Sequence, residues 1–157
     1  MSTTFISFDS ENGFWINDAL TQVVCWGLVN VIDYNNNSDI SWIRGEYREY
    51  LYNCSQGIFV GFTDLRLGDY LINDQRIASF KNLLKQTEDY FIAKGYSIPI
   101  DELNSFQLVK ETKREWTSPL EVSRILKILE YLKNLVNRTL TIKAGDEIDY
   151  EFGNVSN

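Results

Sequence analysis

The chain has 157 residues, a formal net charge of −7 and no histidine. The missing histidine excludes Ser-His-Asp and Cys-His catalytic systems and imidazole metal sites, and no other side chain has an unperturbed pKa between about 5 and 8. The length and a hydrophobic share of 44% predict one globular domain, residues 1–157, that buries its own core.

The N-terminal residues predict a strand, a turn and a buried helix. Thr4–Phe8 alternates weakly between polar and apolar residues, as a short strand does, and Asp9–Gly13 is rich in turn-forming residues. From Phe14 to Val31 the chain is strongly apolar. Apolar positions recur there at three- and four-residue spacing, so we expect one largely buried helix that Asn17 or Asp18 caps.

A second helix is predicted after the clearest loop of the chain, Asp33–Asp39. Ser41 is its expected first residue, and it ends before the glycine-flanked stretch Ile58–Thr63. That stretch is too short for a good helix. We expect a tight crossing of the chain that packs Phe59 and Phe62 into the core.

Two more helices are predicted in the middle of the chain. Thr63 or Asp64 is expected to cap a short helix, Leu65–Leu71. A long amphipathic helix follows the turn at Asn73 and ends at Gly95, because glycine adopts the left-handed terminating conformation without steric cost. The apolar stripe of this long helix consists of Ile77, Phe80, Leu84, Thr87, Phe91 and Ile92.

The strongest helix start signal of the sequence is Ser118–Glu121. Ser118 suits the N-cap and Pro119 the first helical position. Glu121, three residues after the serine, completes a capping box. The predicted helix continues with a regular apolar stripe to Val136.

Beyond the last helix the period of the sequence changes. Residues 139–143 and 146–152 alternate, and we expect a C-terminal hairpin that the N-terminal strand joins; a frayed tail over residues 139–157 is the alternative. The predicted fold is mainly α. It is a helical bundle-like single domain, with its helical core at about residues 14–138 and a minor β element formed by the N-terminal strand and the C-terminal hairpin.

No residue pattern indicates catalysis or a cofactor. The loop of residues 33–39 has oxygen ligands but lacks the central glycine and the terminal glutamate of a calcium-binding EF-hand. Gly57–Gly61 lacks the Lys-Ser/Thr of a phosphate-binding loop, and no CxxC pair suggests zinc. Nothing brings carboxylates such as Glu46 and Glu49 into one pocket. We expect no enzyme activity, no small-molecule substrate, no metal and no cofactor.

The cysteines and the N-terminus indicate a reduced cellular compartment. Cys25 and Cys54 lie in apolar or aromatic surroundings, so we expect two buried thiols, with a disulfide or a redox pair as the alternative. Met1–Phe5 lacks the basic and apolar regions of a secretory signal, and no stretch approaches the ~18 apolar residues of a membrane span. We expect a cytoplasmic protein that does not bind membranes.

The negative charge is concentrated towards the two ends of the sequence. Residues 1–80 have ten acids against four arginines and residues 139–157 have a net charge of −3, whereas residues 81–138 have a net charge of +2. An acidic field attracts basic partners and repels nucleic acid. In the basic stretch Lys110–Glu115 glutamates alternate with cations, so we expect no nucleic-acid binding.

Acidic and aromatic residues form three candidate partner-binding patches. Tyrosine is a frequent interface anchor, and acids speed the encounter with a basic partner. The first patch contains Glu46, Tyr47, Glu49 and Tyr50, the second contains Asp64, Asp69, Tyr70 and Asp74, and the third contains Asp146, Glu147, Asp149, Tyr150 and Glu151.

Six segments between about residues 5 and 137 carry a family resemblance: Gly13–Asp18, Trp42, Asn53–Phe62, Leu65–Leu67, Lys94–Ile98 and Asp101–Asn104. Together they resemble small, mainly helical immunity proteins of bacterial polymorphic-toxin and contact-dependent growth inhibition systems. The resemblance implies a cytosolic, non-enzymatic protein that binds one toxin domain tightly and blocks it.

Three functional hypotheses follow. The leading one is an inhibitor of a basic, nuclease-type toxin, whose nucleic-acid cleft the acidic half of the chain would occupy. The alternative is a generic interaction or scaffold module of a bacterial assembly, in which the acidic face only provides solubility. The first hypothesis predicts association that slows as salt rises, and the second predicts binding that survives high salt. A hydrolase with paired carboxylates would require a concave pocket that holds an acid of raised pKa.

Overall fold

A computed structural model of the chain describes residues 2–9, 12–141 and 155–156. Most of the described chain is helical, which confirms the predicted mainly α fold with a minor β element. The elements are β1 (Thr3–Ser7), β2 (Gly13–Asn17), α1 (Asp18–Tyr34), α2 (Glu46–Ser55), α3 (Leu67–Tyr70), α4 (Asp74–Ile92), β3 (Ser97–Ile98), α5 (Ile100–Leu103), β4 (Glu115–Trp116), β5 (Leu120–Glu121), α6 (Val122–Val136) and β6 (Val155–Ser156). A short 3-10 helix, Ser38–Ile40, lies between α1 and α2.

The N-terminal strand pairs with the residues that directly follow its turn. β1 and β2 form an antiparallel hairpin, in which Thr3 lies opposite Asn17 and Ser7 opposite Gly13. The predicted start of the helical core at residue 14 is therefore wrong, because residues 13–17 are extended. The helical core begins at Asp18.

Helix α1 is the central element of the fold. Asn17 caps it and accepts a hydrogen bond from the backbone N–H of Leu20 at 3.0 Å, as predicted. The helix packs against α2, α4 and α6, and its residues are buried around most of its circumference. At Gly27 the absence of a side chain lets the ring of Phe91, on α4, lie directly against the backbone of α1.

The predicted starts of α2 and α3 are wrong. Turns separate Ser41 from α2, which begins at Glu46. Helix α3 begins at Leu67, and its N-cap position is Arg66, in the left-handed conformation with φ of 49°. Asp64 does not cap α3, because its carboxylate accepts a hydrogen bond from a tyrosine of α2.

The long helix α4 begins and ends as the sequence predicts. Asn73 caps it by accepting a hydrogen bond from the backbone N–H of Arg76 at 2.9 Å. Gly95 follows its last turn with φ of +91°, a conformation that favours glycine.

The predicted capping box at the start of α6 is wrong. Leu120 and Glu121 form strand β5, which pairs antiparallel with β3, and Ile98 lies opposite Leu120. Helix α6 begins at Val122, whose backbone N–H donates to the carbonyl of Tyr96. A pairing with a distant segment thus replaces the local cap.

The C-terminal hairpin predicted for residues 139–152 falls largely outside the described residues. The described strand β6 pairs antiparallel with β4. Both cysteines are free and buried, as expected. Among the described residues no helix combines the length and the apolar character needed to cross a membrane.

Candidate protein-binding surface

The fold joins the first and second predicted patches into one surface. The hydroxyl of Tyr50, on α2, donates a hydrogen bond to a carboxylate oxygen of Asp64 at 2.8 Å. The ring of Tyr70, on α3, stacks on that of Tyr47 with 4.1 Å between centroids, and it lies 6.5 Å from the ring of Tyr50. Two patches that are separate in sequence therefore belong to one cluster.

Tyr47 supports this surface from below. It is fully buried, and its hydroxyl donates to the backbone carbonyl of Leu65 at 2.7 Å. Its ring stacks with the rings of both Trp42 and Tyr70. Tyr47 was predicted as a binding residue, and the structure places it in the core, where it positions the exposed groups of α2 and α3.

The surface carries both signs of charge. Arg48 binds the two carboxylate oxygens of Asp33, at 3.0 and 2.8 Å, and also contacts Glu49 at 2.9 Å. Its hydrogen bond with Asp33 raises the pKa of Arg48 above its already high ordinary value. Arg66 lies over the ring of Tyr50 and pairs with Asp69 at 3.4 Å. Arginines thus neutralise part of the acidic field that the sequence predicted here.

Burial and nearby negative charge keep the surface tyrosines protonated. Burial raises the pKa of Tyr50 most, with contributions from Cys54 and Asp64. Burial also raises the pKa of Tyr70, and the carboxylate of Glu46 adds to this shift. Both phenols therefore remain hydrogen-bond donors well above neutral pH.

The remaining predicted binding residues lie elsewhere. Asp74 is exposed in the first turn of α4, where its charge favours the helix dipole. The third patch lies outside the described residues; it consists of Asp146, Glu147, Asp149, Tyr150 and Glu151.

The loop between α2 and α3 exposes apolar side chains whose exposure the sequence did not predict. Ile58, Val60 and Phe62 have 45%, 46% and 78% of their surface exposed. The prediction that Phe62 packs into the core is wrong. Phe59 is half-buried and stacks on Tyr50 at 5.3 Å between centroids, which leaves its neighbours facing outward. We call Ile58, Val60 and Phe62 the apolar loop.

A buried carboxylate holds the apolar loop in place. Asp18 is fully buried at the start of α1 and accepts a hydrogen bond from the backbone N–H of Gly61 at 2.6 Å. The same carboxylate accepts from the hydroxyls of Ser2 and Thr4, at 2.8 and 2.7 Å. Gly57 and Gly61 adopt φ of +78° and +83°, so glycine suits both bends of the loop.

The hydroxyl of Thr4, which donates to Asp18, also forms a direct hydrogen bond with the end of the loop. It accepts a hydrogen bond from the backbone N–H of Thr63 at 3.2 Å, and the hydroxyl of Thr63 donates to the carbonyl of Phe59. The β1 strand and the start of α1 therefore fix both the middle and the end of the loop. Exposed apolar side chains on a fixed backbone are typical of interaction sites.

The complete surface has the anatomy of a protein interface. The apolar loop adjoins Tyr50 through the ring of Phe59, and Tyr50 in turn contacts the polar groups of Asp64 and Tyr70. Apolar centres with polar rims are typical of protein–protein contacts. We call the apolar loop, Tyr50, Asp64 and Tyr70 together the binding surface.

The described residues contain no group of three or more Asp, Glu, Cys or His side chains that could hold a metal ion. Comparisons with protein-family models, curated proteins and solved structures return no match.

Proposed function

We propose that this chain is a non-enzymatic, cytoplasmic immunity protein that binds and blocks a cognate toxin domain through the binding surface. The observation that carries this proposal is the rigidly held apolar loop beside the hydrogen-bonded pair of Tyr50 and Asp64. A soluble domain gains nothing for its own folding by exposing Phe62 at 78%. A partner that covers this side chain explains the exposure.

Pre-organisation supports tight binding. Loops that are ordered only on association lose affinity through the entropy of ordering. Here the carboxylate of Asp18 already orders the loop in the free protein. Little conformational entropy remains to be lost when the partner docks, and an inhibitor that must hold its toxin for long times benefits from this.

The charge of the surface defines the expected partner. Glu46 and Asp64 are acidic residues of the cluster that form no ion pair within residues 2–9 and 12–141, whereas Arg66 neutralises Asp69. The matching toxin domain presents an apolar pocket that is bordered by lysines or arginines. A nuclease-type toxin fits this description, because it carries basic residues around its nucleic-acid cleft.

Co-expression tests this proposal. The product of the gene that lies next to this one in its genome is expressed alone and together with this chain. The proposal predicts protection of the cells and a one-to-one complex on purification. Failure to protect, together with no complex at low salt, would reject it.

The scaffold alternative has one observation in its favour. Because Arg48 and Arg66 pair with acids of the same surface, the local field is weaker than the net charge of −7 suggests. A scaffold contact made by the apolar loop alone would survive high salt. An inhibitor that is steered by Glu46 and Asp64 loses association rate as salt rises, while its dissociation rate changes little.

A further inference from the structure

A basic cleft lies on the segment between α5 and β4. Its volume is about 300 Å³, and its lining residues are Asn104, Lys110, Lys113, Arg114 and Glu115. Three cations and one carboxylate give it a local charge of +2 on a chain whose net charge is −7. Solubility does not explain a positive cleft on such an acidic protein, since the remainder of the chain already supplies ample charge.

Folding separates charges that alternate in the sequence. Lys110, Lys113 and Arg114 all line the cleft, but Glu111, which stands between them in the chain, is not part of the lining. The turn at residues 109–112 brings the three cations to one side. The alternating charges of Lys110–Glu115 predicted a solvated, neutralised stretch. In the structure its three cations and one of its two glutamates, Glu115, line the same cleft.

Side-chain amides fix the backbone of the cleft. Asn104 accepts from the N–H of Trp116 at 2.7 Å and donates to its carbonyl at 3.1 Å. Gln107 accepts from the N–H of Arg114 at 2.7 Å. The backbone at Arg114 and Trp116 is therefore fixed in the free protein, while the side chains of Lys110 and Lys113 are exposed.

A third amide joins the segment to the end of α2. Gln56 accepts a hydrogen bond from the N–H of Leu108 at 2.6 Å and donates to the carbonyl of Phe106 at 3.0 Å. The hydroxyl of Thr112 donates to the backbone carbonyl of Gln56 at 2.6 Å. Both flanks of the turn that carries Lys110 are thus tied to the core.

The two lysines are available to a ligand. Within residues 2–9 and 12–141, neither Lys110 nor Lys113 forms an ion pair. Arg114 differs, because its guanidinium already contacts the side chains of Gln22 at 3.1 Å and Ser2 at 3.4 Å. The guanidinium of Arg114 therefore forms a fixed, partly buried side of the cleft, whereas the side chains of the two lysines are free to contact a ligand.

We propose that this cleft binds the phosphate group of a small molecule. A phosphate dianion accepts several charge-assisted hydrogen bonds at once, and Lys and Arg are its usual ligands. The cleft volume is at the lower end of small-ligand sites, which suits a phosphate with a compact organic part. Glu115 in the lining opposes a bare anion by charge repulsion, and the remaining volume admits a compact organic part, as in a sugar phosphate.

The test uses the full chain and three probes, inorganic phosphate, ribose 5-phosphate and a single-stranded oligonucleotide, in calorimetric titrations at constant ionic strength. The test variant is Lys110→Gln/Lys113→Gln, which keeps Arg114 and its structural contacts. The matched control is Lys81→Gln/Lys127→Gln, which changes the net charge equally at two lysines outside the cleft lining. Thermal unfolding of each variant without ligand verifies that it is folded.

We expect ribose 5-phosphate to bind more tightly than inorganic phosphate. We also expect the cleft variant to bind it about tenfold or more weakly, the effect of losing one or more charge-assisted hydrogen bonds, while the control binds as wild type does. Three results would overturn the proposal: no heat with inorganic phosphate or ribose 5-phosphate at millimolar concentration, equal binding by both variants, or stronger binding of the single-stranded oligonucleotide than of the sugar phosphate.

Discussion

The buried carboxylate of Asp18 accepts a hydrogen bond from the backbone N–H of Gly61, 43 residues further along the chain, at 2.6 Å. This contact joins the first turn of α1 to the middle of the apolar loop. A fully buried acid is costly unless hydrogen bonds satisfy it, and Ser2 and Thr4 supply two more. The stability of the core and the shape of the binding surface therefore depend on the same residue.

Asp18→Asn should destabilise the protein strongly. The amide keeps the volume of the acid, but its NH₂ group faces donors that the carboxylate formerly accepted. We expect a loss of about 2–4 kcal/mol, the range for disrupting a buried, charge-assisted network. Urea unfolding measures the loss. Asp9→Asn is the control, because Asp9 is exposed and accepts only a local bond from Asn12; its variant should change stability by less than about 0.5 kcal/mol.

Gly27→Ala should destabilise the protein although alanine favours helices. A Cβ at Gly27 would lie 2.3 Å from a ring carbon of Phe91, which is itself fully buried. Overpacking of about 1–3 kcal/mol exceeds the helix-propensity gain of about 1 kcal/mol. Gly45→Ala is the control for added bulk, because apart from its chain neighbours no atom lies within 4 Å of its Cβ position. Equal stability of the two variants would contradict the packing of α1 against α4.

The protein should lose stability as the pH rises above about 8.5. Burial raises the pKa values of Cys25, Tyr47 and Tyr50 in the folded state. The unfolded chain therefore releases the proton of Cys25 near pH 8.5 and those of Tyr47 and Tyr50 near pH 10, about their ordinary values, while the folded state retains them. The urea midpoint, measured between about pH 7.5 and 10.5, should fall continuously. A constant midpoint would contradict the burial of these groups.

Both cysteines should resist thiol reagents until the protein unfolds. Cys25 and Cys54 are fully buried and free, and burial raises the pKa of Cys25, so little thiolate is available for reaction. A colorimetric thiol assay should detect almost no reaction in buffer and two thiols in denaturant. Fast reaction of either thiol in the native protein would contradict the position of α2 against α1.

Local signals in the sequence predicted the fold where local contacts decide the structure. Asn17 and Asn73 cap their helices through hydrogen bonds to residues three positions away, and Gly95 adopts the left-handed conformation that its position requires. Each of these interactions lies within one turn of chain. Periodicity and capping preferences therefore suffice to place α1 and α4.

Strand pairing decided the positions that the sequence signals misplaced. Ser118–Glu121 satisfies the capping-box pattern, but Leu120 is buried opposite Ile98 in a strand pair with a distant segment. Residues 13–17 belong to a hairpin because β1 pairs with them across a short turn, although their apolar character continues into α1. The partner of Leu120 lies outside a local window of sequence, whereas at residues 13–17 the apolar run into α1 concealed the strand.

The sequence indicated some of the residues of the candidate surface. The tyrosines and acids of α2 and α3 could be identified by residue type, but their union depends on the contact between Tyr50 and Asp64. The exposure of Phe62 could not be predicted, since an apolar stretch between helices suggests a core crossing. The hydrogen bonds that fix the loop at the surface, from Gly61 to the buried Asp18 and from Thr63 to Thr4, join segments that are distant in sequence.

The variant Phe62→Ser tests whether the apolar loop binds the partner. Calorimetry measures the affinity of the purified neighbouring gene product for wild type, Phe62→Ser and the control Tyr34→Ser. Tyr34 is 84% exposed and lies at the far end of α1, about 24 Å along the helix axis from Asp18. We expect Phe62→Ser to bind this gene product about 30-fold or more weakly, with an unchanged free energy of unfolding, while Tyr34→Ser binds it as wild type does. Wild-type affinity of Phe62→Ser would contradict binding by the apolar loop.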